Sequence, residues 1–176
     1  MKLFGKWRKE SAPVKTEEPP FNPEAAAPVQ NNVDSSLGQN RRILVVDDNP
    51  VVLKAFELKL QALGFQVMTA SDGSSAVSLA RQDHPDFIVL DINFPPDVGS
   101  SGLQWDGFNI MQWMRRFKEA ADIPVIIITS GDPSKFRDKA IAAGAVAFFQ
   151  KPINHEEFLI AVRRTIGQAG AKPQAA

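Results

Sequence analysis

Residues 87–90 read Phe-Ile-Val-Leu without a polar interruption, and residue 91 is Asp. A continuous apolar run of this length presents hydrophobic side chains to both faces of a strand, which a parallel sheet covered on both sides requires. An ionised Asp is not kept in such an interior. The pattern therefore places Asp91 at the solvent-reaching carboxyl end of its strand, where open α/β sheets carry their chemistry. Two further runs repeat the design: Ile43–Val46 stops on Asp47 and Asp48, and Val125–Ile128 stops on Thr129 and Ser130. Gln66–Thr69 and Val146–Phe149 read as two more strands, the latter leading into Lys151 and Pro152.

Helical signals separate the runs. Asn49 is placed to cap a helix with Pro50 at its first position, Val52, Phe56, Leu60 and Leu63 give it an inward stripe, and Gly64 stops it. Asp72 and Gly73 open a second helix with Ala76, Leu79 and Ala80 inward, closed before Pro85. A third is expected from about Gly107, with Ile110, Met111 and Met114 as core and Arg115, Arg116 and Lys118 toward a basic end. Asp132 and Pro133 start a fourth, which Gly144 ends. Asn154 with Glu157 three residues on forms a capping box for a fifth, with Phe158, Ala161, Val162 and Ile166 inward. Strict alternation of five strands and five helices predicts a doubly wound α/β fold with right-handed crossovers.

This occupies about residues 41–167. Residues 1–40 carry Pro13, Pro19, Pro20, Pro23 and Pro28 and no sustained period, the composition of a disordered arm, and residues 168–176 read as a frayed tail. Within residues 1–9, Leu3, Phe4 and Trp7 share one side of a helical turn among Lys2, Lys6 and Lys9. That peptide is either an unstructured basic start or a short contact for an anionic membrane or a partner groove. Twenty basic and twenty acidic side chains balance, without the basic excess of a nucleic-acid-binding domain, so no nucleic acid is expected. No cysteine is present, which removes disulfides, thiolate metal sites and thiol catalysis. No apolar run is long enough for a membrane span or a signal peptide, and a cytoplasmic location is expected.

In a doubly wound sheet all carboxyl ends share one edge, so Asp47, Asp48, Asp91, Thr129 and Lys151 are brought together. Taken singly, Asp48 or Thr129 serves equally as a helix cap and Lys151 as a solvated amine. Gathered, three carboxylates at ~4–6 Å repel by roughly 1 kcal/mol per pair in water, and by about 4 at an effective dielectric of about 20. A cation has to offset this. Oxygen-only ligands suit Mg²⁺, Lys151 adds a second positive charge and Thr129 a neutral donor. That is equipment for phosphoryl transfer, and with no Cys and only His84 and His155 elsewhere, Asp is the available nucleophile.

The segments Val45-Val46-Asp47-Asp48-Asn49, Val89-Leu90-Asp91, Ile128-Thr129-Ser130 and Phe148-Phe149-Gln150-Lys151-Pro152 resemble, in order and spacing, the receiver domain of two-component response regulators. The resemblance covers about residues 41–167 and implies a flavodoxin-like strand order 2-1-3-4-5. It implies that Asp91 is the phosphoacceptor, receiving a phosphoryl group from a histidine kinase or phosphotransfer protein. Asp48 and Asp91 would ligate Mg²⁺, Asp47 would help hold the ion and its water, and the Asn93 backbone carbonyl would complete the protein ligands. Thr129 would bond the acyl phosphate, Lys151 would pair with it, Phe148 would follow Thr129, and the Lys151–Pro152 peptide would be cis. Two features depart from the pattern. Phe148 has no hydroxyl, and about eight extra residues separate Pro95 from Asp106 and Gly107, an insertion at about 96–106. The insertion either folds Trp105 over Asp91 or is a tolerated surface loop.

The expected function is a stand-alone phosphorylatable switch, not an enzyme beyond slow self-dephosphorylation. It would signal to a downstream effector protein through the surface of the fourth helix, fifth strand and fifth helix, with no output domain on the chain. The alternative is a phosphorylation-independent adaptor that binds partners through the arm or the insertion; the complete pocket argues against it. A phosphatase or nucleotide-binding enzyme fits less well. Asp48-Asn49-Pro50 is no glycine-rich phosphate loop, and the second residue after Asp91 is Asn93 rather than a second Asp.

Overall fold

The computed structural model describes residues 37–93 and 107–169. The expectations for the arm and its first nine residues, for the insertion with Pro95, Trp105 and Asp106, and for residues 170–176 lie outside them. The elements alternate as β1 (Arg42–Val46), α1 (Pro50–Ala62), β2 (Gln66–Ala70), α2 (Gly73–Asp83), β3 (Phe87–Asp91), α3 (Gly107–Met114), β4 (Val125–Thr129), α4 (Pro133–Ala142), β5 (Ala145–Gln150) and α5 (His155–Ala169). The five strands form one sheet in the order β2-β1-β3-β4-β5, with every neighbouring pair parallel. This is the doubly wound order expected from the motifs.

The apolar runs do what their lack of alternation requires. All five residues of β3 and of β4 are buried, because each strand sends side chains into two separate cores. On one face, Leu44, Val46, Ile88, Leu90 and Ile127 pack with Ala76 and Ala80 of α2, Ile110, Met111 and Met114 of α3, and Ala140 of α4. On the other, Ile43, Val45, Phe87, Val89, Ile126 and Ile128 meet Leu60 of α1, Leu63, and Phe158 and Val162 of α5. At roughly 1.5–3 kcal/mol for each large apolar side chain buried, these two layers are the main source of stability. Asn49, Asp72 and Asp132 cap α1, α2 and α4 by accepting from the backbone N–H of Val51, Ser75 and Ser134. The Asn154 side chain accepts from Glu156 and Glu157 at the start of α5.

Several boundaries and side chains differ from the sequence reading. Leu37–Asn40, expected with the arm, form a turn on the domain: Leu37 packs into the α1/α5 core and the Gly38 N–H donates to the Leu63 carbonyl. A Cβ on Gly38 would lie 2.4 Å from the Phe65 nitrogen, so this close approach requires glycine. In α1 the residue packed on the core is Leu53, not Val52, which lines a groove with Phe56 and Phe158 instead. Helix α3 stops at Met114, so Arg115, Arg116 and Lys118 lie beyond it. The Arg115 guanidinium is drawn off to the carbonyls of Ala121 and Gly144, binding the turns at the foot of α3 and α4. Helix α5 runs two residues past Gly167, to Ala169, and it buries a polar residue, Thr165, whose hydroxyl donates back to the Ala161 carbonyl.

Candidate functional site

Register delivers the site residues. Val46 pairs with Leu90, so the next residue of each chain, Asp47 and Asp91, emerge side by side. Asp91 pairs with Ile128, which brings Thr129 one step beyond it, and Thr129 pairs with Gln150, which brings Lys151 to the same edge. The Lys151 N–H donates to the Thr129 carbonyl at 2.7 Å, and the Lys151–Pro152 peptide is cis.

Asp47 and Asp91 are 0% and 3% exposed, whereas Asp48 is open to solvent. Each of the three offers a carboxylate oxygen within 4.8 Å of the others. The Lys151 ammonium lies between two of them, donating to Asp47 Oδ2 and to Asp91 Oδ2, both at 2.6 Å. The remaining oxygens of the buried pair take backbone donors: Asn49 N–H to Asp47 Oδ1 at 3.0 Å and Asn93 N–H to Asp91 Oδ1 at 2.9 Å. Each Asp thus closes a tight turn at its own strand end, which fixes its orientation. Among the described residues no buried side-chain polar atom lacks a partner.

The electrostatics remain unbalanced. Burial pushes the Asp47 carboxyl above its ordinary value; the Lys151 hydrogen bond and the Asn49 N–H pull the other way without cancelling it, and Asp91 adds to the rise. Burial works against the Lys151 ammonium, but the hydrogen bonds and charges of Asp47 and Asp91 outweigh it, and its pKa stands above that of an ordinary lysine. Three carboxylates against one ammonium leave a surplus of negative charge at a site with one solvent-facing ligand. A hard divalent cation with oxygen ligands and retained water fits that donor set.

Thr129 is fully buried at the end of β4, and its hydroxyl oxygen accepts the Gly131 N–H at 2.9 Å. Phe148 is buried in β5, with the Arg137 guanidinium 5.3 Å from its ring centroid. Asn93 lies at the exposed mouth beside Asp91. The edge therefore brings together Asp47, Asp48, Asp91, Thr129 and Lys151. The surroundings of Thr129 were not legible in the sequence. Gly131 and Phe136 lie in none of the motif segments, Gln150 lies in one with no role assigned to it, and only the geometry reveals what the three do.

Comparison with known proteins gives the arrangement a family. Residues 43–163 match the response regulator receiver domain. The chain is 34% identical over 135 residues to the DNA-binding dual master transcriptional regulator RpaA of Synechocystis, covering 77% of this chain and 53% of that protein. It thus spans about half the length of that relative. It is 29% identical to the polar-differentiation response regulator DivK of Brucella ovis, covering 73% of this chain and 98% of DivK. Among solved structures, the receiver domain of sensor histidine kinase PA1611 from Pseudomonas aeruginosa, with a magnesium ion coordinated in its active-site cleft, superposes with a TM-score of 0.62 at 30% identity, over 74% of this chain and 98% of that one. The family match spans well over half of the chain, from β1 into α5, and the chain belongs to the response regulator receiver domains, the phospho-accepting switches of two-component signalling.

Proposed function

We propose that Asp91 accepts a phosphoryl group from a phosphohistidine on a histidine kinase or phosphotransfer protein. The P–N bond of the donor breaks, a P–O bond forms to an Asp91 carboxylate oxygen, and the imidazole leaves neutral, with a proton restored to its nitrogen. The observation that carries this reading is the position of the Lys151 ammonium, shared between Asp47 and Asp91 beside the solvent-facing Asp48. Such a site binds a dianionic group only if its own negative charge is offset.

Asp48 and Asp91 would hold Mg²⁺ directly, with the Asn93 carbonyl as a further ligand and Asp47 orienting the ion's water. The ion would supply the positive charge that lets a phosphoryl group approach a carboxylate. Lys151 then transfers its pairing from the Asp91 carboxylate to the phosphoryl oxygens, and Thr129 donates to another of them. The acyl phosphate draws Thr129 inward, Phe148 repacks, and the surface of α4, β5 and α5 changes for an effector protein. Among the described residues no helix is long and apolar enough to cross a membrane.

Intact-protein mass after incubation with MgCl₂ and a small acyl-phosphate donor tests the reading. One added phosphoryl group is expected in the wild type and none in Asp91→Asn or in the presence of chelator. A wild type that gains no mass from the acyl phosphate or from a phosphorylated kinase, and whose stability Mg²⁺ leaves unchanged, would favour the adaptor reading.

A further inference from the structure

Around Thr129 the chain is arranged in a way that the phosphoacceptor chemistry does not explain. The Gly131 N–H donates to Thr129 Oγ1 at 2.9 Å, and the carbonyl of the same Gly131 accepts from the Gln150 side-chain amide at 3.4 Å. Gln150 immediately precedes Lys151, so one residue ties the Thr129 turn to the strand that carries the lysine. The bare Cα of Gly131 faces an aromatic ring. A Cβ built there would lie 2.6 and 2.9 Å from the Phe136 ring and 3.2 Å from Thr129 Oγ1. Phe136 is also stacked on Phe108, with ring centroids 6.4 Å apart and planes inclined by 29°. Phe108 in turn lies under the Lys139 ammonium, 4.0 Å from its centroid, and follows Gly107, which abuts the Asp91 carbonyl.

We infer that Gly131 is a positioning residue for Thr129: its amide holds the Thr129 hydroxyl in the unphosphorylated orientation, its missing side chain seats Phe136, and the two together set how readily Thr129 leaves for a phosphoryl group on Asp91. The inference rests on the reading of Asp91 and Thr129 given above. An oxygen that moves to the phosphoryl group comes off the Gly131 donor, the residue whose bare Cα faces the Phe136 ring. The position of Thr129 is thereby coupled to the Phe136–Phe108 stack between α4 and α3. A side chain at 131 crowds the resting hydroxyl and the ring together, and so raises the free energy of the unphosphorylated state.

Beryllofluoride with MgCl₂, a mimic of the phosphoryl group, provides the probe, with affinity read by calorimetry. Gly131→Ala is expected to bind it about fivefold more tightly than the wild type, the size of one ordinary hydrogen bond. Adding Phe136→Leu, which vacates the seat, returns the affinity toward that of the wild type. In a Thr129→Ala background, Gly131→Ala changes nothing, because the residue through which it acts has lost its hydroxyl. Amide exchange at Gly131 in the wild type is expected to accelerate when the probe binds. A purely structural role would move only the thermal midpoint. Equal affinity of wild type and Gly131→Ala, or the same shift with and without the Thr129 hydroxyl, overturns the latch while leaving the phosphoacceptor reading intact. A wild type that fails to bind the probe overturns both.

Discussion

The two edges of the sheet use the same kinds of residue to opposite ends. At the amino edge Arg41 pairs one-to-one with Asp86 at 3.1 Å, both side chains more than a quarter exposed, and the second Asp86 oxygen accepts the Arg42 N–H. Charge is matched and hydrated, and the pair clips β1 to the start of β3. At the carboxyl edge one ammonium faces three carboxylates, two of them buried. A matched, wet pair holds a chain together at little cost and little gain. A buried, unmatched set costs stability until something arrives to complete it, which makes it a receptor rather than a clip.

The largest expected effect that separates the edges is the loss of their cations. Lys151→Met leaves two buried carboxylates without a counter-charge and is expected to cost about 3 kcal/mol in urea unfolding without divalent ions, against about 1 kcal/mol or less for Arg41→Met. Equal losses would erase the distinction. Because the Lys151 pKa is raised on folding, its contribution is fully present below the pKa of an unfolded lysine and fades only as pH rises through the higher folded value. The deficit of Lys151→Met should therefore persist through neutral pH and close only in strong alkali.

Mg²⁺ sharpens the comparison from the other direction. At a hundredfold excess over its dissociation constant it is expected to stabilise the wild type by about 2.7 kcal/mol, leaving Asp48→Ala nearly unmoved. Arg41→Met should respond as the wild type does. A smaller effect is expected of Asp47→Asn without metal. Burial raises the Asp47 pKa, so at neutral pH its ionised form costs stability, and removing the charge should raise stability by on the order of 1 kcal/mol. The sign follows from the direction of that shift. The cost falls away as pH drops through the raised value, and the advantage of Asp47→Asn should shrink with it. An Asp47→Asn protein that is less stable at neutral pH would mean that Asp47 serves as structure.

Much of this was legible in advance because both cores are written as uninterrupted runs. Ile43–Val46, Phe87–Leu90 and Val125–Ile128 admit only a strand buried on two faces, and their polar terminators then fall on one edge. What the chain hid were choices made by tertiary contact. Val52 and Leu53 are neighbours with equal claim to the stripe of α1, and only packing against the second core decides for Leu53. Arg115 reads as a favourable last-turn charge on a helix, yet two carbonyls outside that helix claim its guanidinium. Thr165 is polar at an inward position, and burial becomes tolerable because its hydroxyl finds the Ala161 carbonyl within its own helix. Gly131 belongs to the same class, since a glycine's reason for being small lies in whichever ring approaches it.

Gly107 has a further consequence. It packs so closely on the Asp91–Ile92 backbone that a Cβ would fall 2.5 Å from the Ile92 Cα, and its N–H reaches the Ile92 carbonyl at 3.4 Å. Ile92, just after β3, and Gly107, at the start of α3, thus meet in one clasp beside Asp91. Closing a flexible loop through such a clasp costs only about 0.6 kcal/mol more for each doubling of its length. A change in the number of residues between Asn93 and Gly107 therefore perturbs the clasp little, and β3 and α3 are expected to keep their places when that stretch of sequence is lengthened, shortened or exchanged for a foreign peptide.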